Sequence, residues 1–375
     1  MPVEFISATH PTPTTEATEG GRRAGFDVDY TRRFVHALDD GGFDWTLIPY
    51  GSGSADALQL AQFVVNHSER IKPMVAHRPG FVFPTQAAKA FTTIDHIGRG
   101  RLGIHIISGG SDTEQRREGD CLTKEQRYQR SDEFIQIMRQ VWTSTGPFSY
   151  EGRHYKFEDF HTDIKPYQGL IPVSVGGSSA DAYRVGGQQG DIFGLWGEPL
   201  ADTRQQIASV NAHADAAGRP HPRIWISFRP IVASTDELAW EKAADVLERT
   251  TRNTAARAQP RFPMALGGDM PQNVGSQRLV ALAQRGELHD RALWTPLVTA
   301  TQAIGSTTAL VGSYETVARA LLDYVGIGCE LLSIRGWDPL NDAIDYARYV
   351  LPVVRQELAH RATQVPVGAG QQRAS

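Results

Sequence analysis

The sequence predicts an α/β fold, and within that class a (β/α)8 barrel. Three observations carry the expectation. Short apolar runs rich in Val, Ile and Leu alternate with stretches of helical periodicity along the chain. Eight such strand–helix pairs follow one another, and this alternation implies a parallel sheet. A doubly wound open sheet is the alternative, weakened because no GxGxxG follows the first strand.

Val3 to Ala8 reads as the first strand, followed by a loop rich in Thr, Pro and Gly from His10 to Gly25. Tyr30 to Asp40 places Phe34, Val35 and Leu38 on one helical face, and Gly41-Gly42 ends it. Trp45 to Pro49 is a second strand and Ala55 to Asn66 a second helix. Ile71 to Arg78 and Pro84 to Ile97 form the third pair. Leu102 to Ser108 is the fourth strand, ending in Gly109-Gly110. A polar stretch leads to a strongly periodic helix, Tyr128 to Ser144, and then to a hairpin from Phe148 to Phe160. Val173 to Val175 is the fifth strand. Ile192 to Trp196 is the sixth, with a helix from Ala201 to Ala217. Arg223 to Ala233 is the seventh, with a helix from Asp236 to Ala258. Residues Pro260 to Thr301 lack a steady period until Gln277 to Ala283, and read as an insertion forming a mobile lid or a static excursion. Thr316 to Tyr324 is a helix, Glu330 to Gly336 the eighth strand and Leu340 to His360 the last helix. The expected organisation is one domain over 1–360 with a disordered tail over 361–375.

The 375 residues suffice for one large barrel, and a formal net charge of -4 gives no reason to expect nucleic acid or a membrane surface as a partner. Two distant cysteines, Cys121 and Cys329, have no metal-ligand spacing and suit a reduced cytoplasmic setting. The N-terminus is not patterned as a signal peptide, and no run approaches the roughly 20 apolar residues that cross a bilayer.

In such a barrel the chemistry lies at the C-terminal ends of the strands. There the sequence places His10, Tyr50 with Ser54, His77-Arg78, Ser108-Gly109, Gly176-Gly177-Ser178-Ser179, Trp196-Gly197-Glu198, Arg229 and Arg335-Gly336-Trp337. No carboxylate pair, metal set or GxSxG turn is evident among them. Glycines, hydroxyls, arginines and tryptophans suit a flat phosphorylated cofactor better than acid–base work. The stretch PVSVGGSSADA, Pro172 to Ala182, is a strand, a Gly turn and a helix start. It reads either as a capped turn or as a phosphate site on helix amides.

These motifs, in this order, resemble the bacterial luciferase-like flavin-dependent monooxygenases, nearest to the branch of FMNH2-dependent alkanesulfonate monooxygenases. The resemblance runs from Val3 to about Val354. It rests on HRPGFVFPTQAAK (His77 to Lys89), DHIGRGRLGIHIISGG (Asp95 to Gly110), KEQRYQRSDEF (Lys124 to Phe134), FSYEGRHYKFED (Phe148 to Asp159), PVSVGGSSADA, LWGEP (Leu195 to Pro199), TALVGSYETVA (Thr308 to Ala318) and RGWDPLNDA (Arg335 to Ala343). It implies a barrel using reduced FMN from a separate NAD(P)H-dependent reductase, with O2, to oxygenate a small organosulfur or related organic substrate. It also implies a cytoplasmic homodimer or homotetramer. A deazaflavin-dependent hydride transferase on the same fold and a non-catalytic flavin-binding protein are the alternatives.

By the same resemblance, His77, Ser108, Gly109, Arg127, Tyr128, Gly176, Gly177, Ser178, Ser179 and Trp196 are the expected flavin-binding residues, with GGSS, Arg127 and Tyr128 on the phosphate. His10, Ser54, Arg229, Arg335 and Trp337 are the expected catalytic or substrate-side residues. His10 is kept from the sulfonate branch. Departures from that branch are Ser54 for a cysteine, Arg229 for a histidine, Ser227 for an arginine, Ala303 beside Gln302 for an arginine, and Trp337 for a tyrosine. Arg229 and Arg335 read either as anion-binding groups or as structural ion-pair arginines. Trp196 and Trp337 read as a pocket wall or as core. His77 reads as a flavin neighbour or as a satisfied interior histidine, and His105 as a satisfied interior histidine rather than a flavin neighbour.

Overall fold

In the computed structural model, the described residues are 3–18, 25–257, 271–301, 303 and 308–364. Eight strands close into a barrel in chain order: β1 (Glu4–Ala8), β2 (Trp45–Ile48), β3 (Lys72–His77), β4 (Gly103–Ile106), β5 (Val173–Gly176), β6 (Ile192–Trp196), β7 (Arg223–Phe228) and β8 (Cys329–Ile334). Every neighbouring pair is parallel, and β1 pairs with both β2 and β8, which removes any free edge. Closure excludes the doubly wound alternative.

Helices cover the outside: α1 (Val28–Asp40), α2 (Ala57–Asn66), α3 (Pro84–Ile97), α4 (Lys124–Thr143), α5 (Ala180–Gln189), α6 (Leu200–Ala216), α7 (Asp236–Arg257), α8 (Val274–Arg285) and α9 (Tyr314–Val325). Their starts follow from local chemistry. Asp27, Asp56 and Ser313 accept from backbone amides as N-caps, and Pro84 sits in the first turn of α3. A Thr123–Gln126 capping box starts α4 four residues before the helix that apolar periodicity predicts. Phe34, Phe91, Phe134 and Phe193 lie fully buried between helices and barrel. Each contributes about 2–3 kcal/mol of burial.

The barrel interior explains where a cavity opens. Ile6, Trp45, Met74, Ile192, Trp225 and Leu331 fill one inward layer. Two residues further along those strands, facing the same way, stand Ala8, Leu47, Ala76, Gly194, Ser227 and Ser333. Large side chains give way mostly to small ones, so the core ends and a cavity begins at the C-terminal mouth.

The seventh strand is shorter than expected. It leaves the barrel at Arg229-Pro230, where proline has no amide to donate, and the Arg229 amide bonds the Thr308 carbonyl instead. Ile231–Ala233 then pairs with Ala309–Ser313 in a small four-stranded sheet that the sequence reading missed, with Leu288–His289 and Leu293–Trp294. The last helix is also not uniform. Pro339–Asp345 passes through a π-turn, Tyr346–Val350, into a helix that reaches Gln364. Residues 361–364 are therefore helical; the remainder of the expected tail, the first part of the expected lid (260–270) and Gln302 lie outside the described residues. Among the described residues no helix is long and apolar enough to cross a membrane.

Candidate active site

The cavity at the barrel mouth encloses about 370 Å³ and is lined from every barrel strand end together with α4 and the start of α8. Its wall has a glycine- and hydroxyl-rich side and an aromatic, arginine-bearing side.

On the first side, β5 ends in Gly176-Gly177 and Ser179 caps α5, its side chain accepting from the Ala182 amide at 3.3 Å. A Cβ on Gly176 would stand 2.9 Å from His105 Cε1 and 3.2 Å from the Gly194 carbonyl, while Gly177 has φ of 133°. Only glycine fits this turn, and it leaves backbone facing the cavity. Tyr128 projects from α4 and hydrogen-bonds Ser179; burial pushes its phenol up. Lys124, one turn earlier on α4, also faces the cavity, and burial lowers its ammonium despite Asp181. No carboxylate stands within ion-pairing distance of Lys124 among the described residues. Ser178 and Ser108 complete this side. Amides at a helix N-terminus, two or three hydroxyls and a cation form a phosphate-binding donor set.

Arg127 is not part of it. Its guanidinium donates to the Ser108 carbonyl at 2.8 Å, to the Leu122 carbonyl at 2.6 Å and to Asp112 Oδ1 at 2.8 Å. It is buried and ties the loop after β4 to α4. Of the expected pair Arg127-Tyr128 only Tyr128 lines the cavity, and Lys124 lines it beside Tyr128. The two share a helix face because they are four residues apart; that spacing was a usable signal.

His77 also departs from expectation. It faces outward from β3 and packs against Phe91 and Phe134, ring centroids 5.2 and 5.3 Å away. His105 points inward instead. It lines the cavity, its Nδ1 lies 2.9 Å from Ser174 Oγ, and its ring meets Trp225 edge-on. Burial lowers both imidazoles from 6.5 to about 4, so both are neutral near pH 7.

Trp196, Trp225, Ser227, Ser333 and Arg335 form the other side, with Gly109 and Gly110 at the edge. The start of α8 packs there: a Cβ on Gly275 would stand 3.0 Å from the Trp196 ring, and Gln272 accepts from the Asp112 amide. Glu198, after β6, anchors α8 through an ion pair to Arg278 at 2.5 Å. Arg78, after β3, pairs with Glu114 and with Glu118 and lies over the Tyr50 ring, whose hydroxyl donates to Glu118 at 2.5 Å. Burial and Glu118 push that phenol up.

Arg229 and Trp337 are packed together behind this wall, the guanidinium carbon 3.4 Å from the ring centroid. Arg229 donates to Glu16 at 2.9 Å and to the Gly336 carbonyl at 3.3 Å. Burial opposes the Glu16 charge, but Arg229 and Arg335 hold its carboxyl well below the usual range. Burial and repulsion from Arg229 lower Arg335 from 12.5 to about 10, with Glu16 opposing. His10 stands edge-on to Phe34, 6.2 Å between centroids, off the cavity wall. Ser54 is exposed and folds back on Gly51. Ala303 is fully buried with a positive φ of 55°. Of the five expected catalytic residues, only Arg335 lines the cavity.

The solved structure of riboflavin lyase RcaE, with modified FMN and substrate riboflavin, is similar at a TM-score of 0.76 and 19% identity, covering 100% of this chain and 94% of that one. EDTA monooxygenase EmoA from Chelativorans sp. BNC1 gives 0.75 and 18%, covering 95% and 94%. DmoA from Hyphomicrobium sulfonivorans gives 0.73 and 18%, covering 95% and 88%. At these identities the likeness is one of fold. The sequence itself matches the family described as luciferase-like monooxygenase over residues 1–331. The chain belongs to the luciferase-like monooxygenase family.

Proposed function

We propose that this protein is a monooxygenase that binds reduced FMN at the barrel mouth. A separate NAD(P)H-dependent reductase supplies the flavin, and O2 is used to oxygenate a small organosulfur or related organic molecule. One observation carries the reading. A single cavity joins a phosphate-binding donor set (Lys124, Tyr128, Ser178, Ser179 and the amides opening α5) to an aromatic-walled chamber inside the barrel. The glycine turn at Gly176-Gly177 supports it, because a side chain there would press on His105, the Gly194 carbonyl and Ala182, all at the cavity wall or the start of α5.

In this reading Ser178, Ser179, Tyr128 and Lys124 hold the phosphate through charge-assisted bonds. His105, neutral and fixed by Ser174, presents an uncharged imidazole edge to the ring. Leu195, Trp196, Trp225 and Val274 exclude water from the chamber. When bound, the reduced flavin supplies the electrons that activate O2.

The test is turnover of a panel of sulfones, sulfonates, thioethers and aromatic compounds with FMN, a flavin reductase, NAD(P)H and O2. The expected result is an O2-dependent oxygenated product that disappears without FMN. A panel without any such product, together with tight binding of a reduced deazaflavin and negligible binding of FMN, would overturn the reading.

A further inference from the structure

Resting on the monooxygenase reading, we infer that the substrate is an uncharged organic molecule, and that Glu16 is the residue that makes the site refuse anions. The observation is the distribution of charge around the cavity. Among the described residues three arginines stand on the substrate side: Arg78 and Arg335 on the wall, and Arg229 behind it against Trp337. Three glutamates face them. Glu114 and Glu118 both pair with Arg78, and Glu16 pairs with Arg229 while its field reaches Arg335. Among the described residues two carboxylates sit on Arg78, and Glu16 is shared by Arg229 and Arg335, so the positive charge that would recruit a sulfonate or carboxylate is offset in part by the protein's own carboxylates. Lys124 is different. It has no carboxylate within ion-pairing distance among the described residues, and it lies beside the Ser178-Ser179 turn. The phosphate side thus keeps a cation with no carboxylate paired to it among the described residues, Asp181 and Asp112 acting on it only at longer range, while the arginines of the opposite chamber sit with paired carboxylates and its wall is Trp196, Trp225, Leu47 and Leu195.

Glu16 is built into this arrangement. It lies on the segment after β1, whose Thr15 hydroxyl donates to the Trp337 carbonyl at 2.7 Å. Asn253 of α7 holds the Glu16 carbonyl at 3.1 Å and that of Thr18 at 2.8 Å. An anionic substrate reaching Arg335 meets the field of a carboxylate already bonded to Arg229. An uncharged ligand of the same shape meets none of that repulsion.

The test uses the full-length protein loaded with oxidised FMN. An alkyl methyl sulfone and an alkanesulfonate of equal chain length are titrated, and the change in bound-flavin absorbance is read. In the wild type the sulfone is expected to bind at least about tenfold more tightly than the sulfonate. Glu16→Gln raises the local charge by one, and is expected to shrink that ratio by about tenfold or reverse it. Glu16→Gln/Arg229→Gln removes one charge of each sign, and is expected to restore the wild-type preference. FMN affinity should stay within about threefold throughout, since the phosphate set is untouched. A wild type that binds the sulfonate as tightly as the sulfone overturns the inference, as does a Glu16→Gln ratio within about twofold of wild type. Failure of FMN to bind would overturn the cofactor reading instead. The same two ligands are then compared by calorimetry on the flavin-free protein, where the wild-type ordering still decides the point.

Discussion

Individual side chains set the limits of this site. Gly176 is one such limit, because a methyl group would press on His105 and on the Gly194 carbonyl at once. Gly176→Ala is expected to weaken FMN binding by about tenfold or more, with little change in far-UV circular dichroism. Quenching of flavin fluorescence reads it directly. The two buried histidines give a second expectation, with a defined sign. Each is neutral in the folded chain down to about pH 4, whereas an unfolded imidazole takes up its proton near 6.5. Between those values the unfolded chain binds more protons, so stability falls as the pH drops from 6.5 toward 4 and is full above 6.5. Each ring accounts for a loss on the order of 3 kcal/mol across that window. Urea midpoints measured through the window should fall, and His77→Asn or His105→Asn should each flatten the fall by about half relative to its own value near pH 7.5.

At the level of elements, adjacent residues of one helix do different work. Arg127 and Tyr128 follow each other in sequence, but a helix turns about 100° per residue. Tyr128 reaches the cavity and Arg127 is spent on the loop after β4. Arg127→Ala is therefore expected to cost about 3 kcal/mol of stability, since it leaves the Ser108 and Leu122 carbonyls without this donor. Chemical denaturation checks this. A drop in FMN affinity without loss of stability would instead place Arg127 at the phosphate. The sequence carried the strands, the barrel and the Gly-Ser turn because each has a local signature: β-branched runs, a period of 3.6, a capping serine. It did not separate Arg127 from Lys124, nor His77 from His105, because which face of an element meets a cavity is decided by packing between elements. His77 and His105 each end or centre an apolar strand; only the pleat and the helices behind it send one outward to Phe91 and Phe134 and the other inward to Trp225. The small sheet built on Ile231–Ala233 was hidden for a related reason. Its strands are two to five residues long, too short for periodicity, and they pair across a long insertion.

Across the whole molecule, the segment after β1 joins parts of the chain that are far apart in sequence. Glu16 meets Arg229 just past β7, and its backbone is held by Asn253 on α7. Thr15 is bonded to the Trp337 carbonyl past β8. Helix α7, the first loop and the segment past β8 are consequently fastened at one point, beside the wall that carries Arg335. If Glu16 is the shared partner, removing Asn253 and removing Arg229 cannot be independent, because each loosens the carboxylate that the other also holds. A double-mutant cycle of Asn253→Ala with Arg229→Met should show an interaction energy of at least about 0.5 kcal/mol, measured by urea unfolding. Asn253→Ala combined with Gly176→Ala, which shares no partner with it, should add within about 0.5 kcal/mol. Additivity in both cycles would mean that the three segments touch without being mechanically joined. Glu16 would then act on the site through its charge alone.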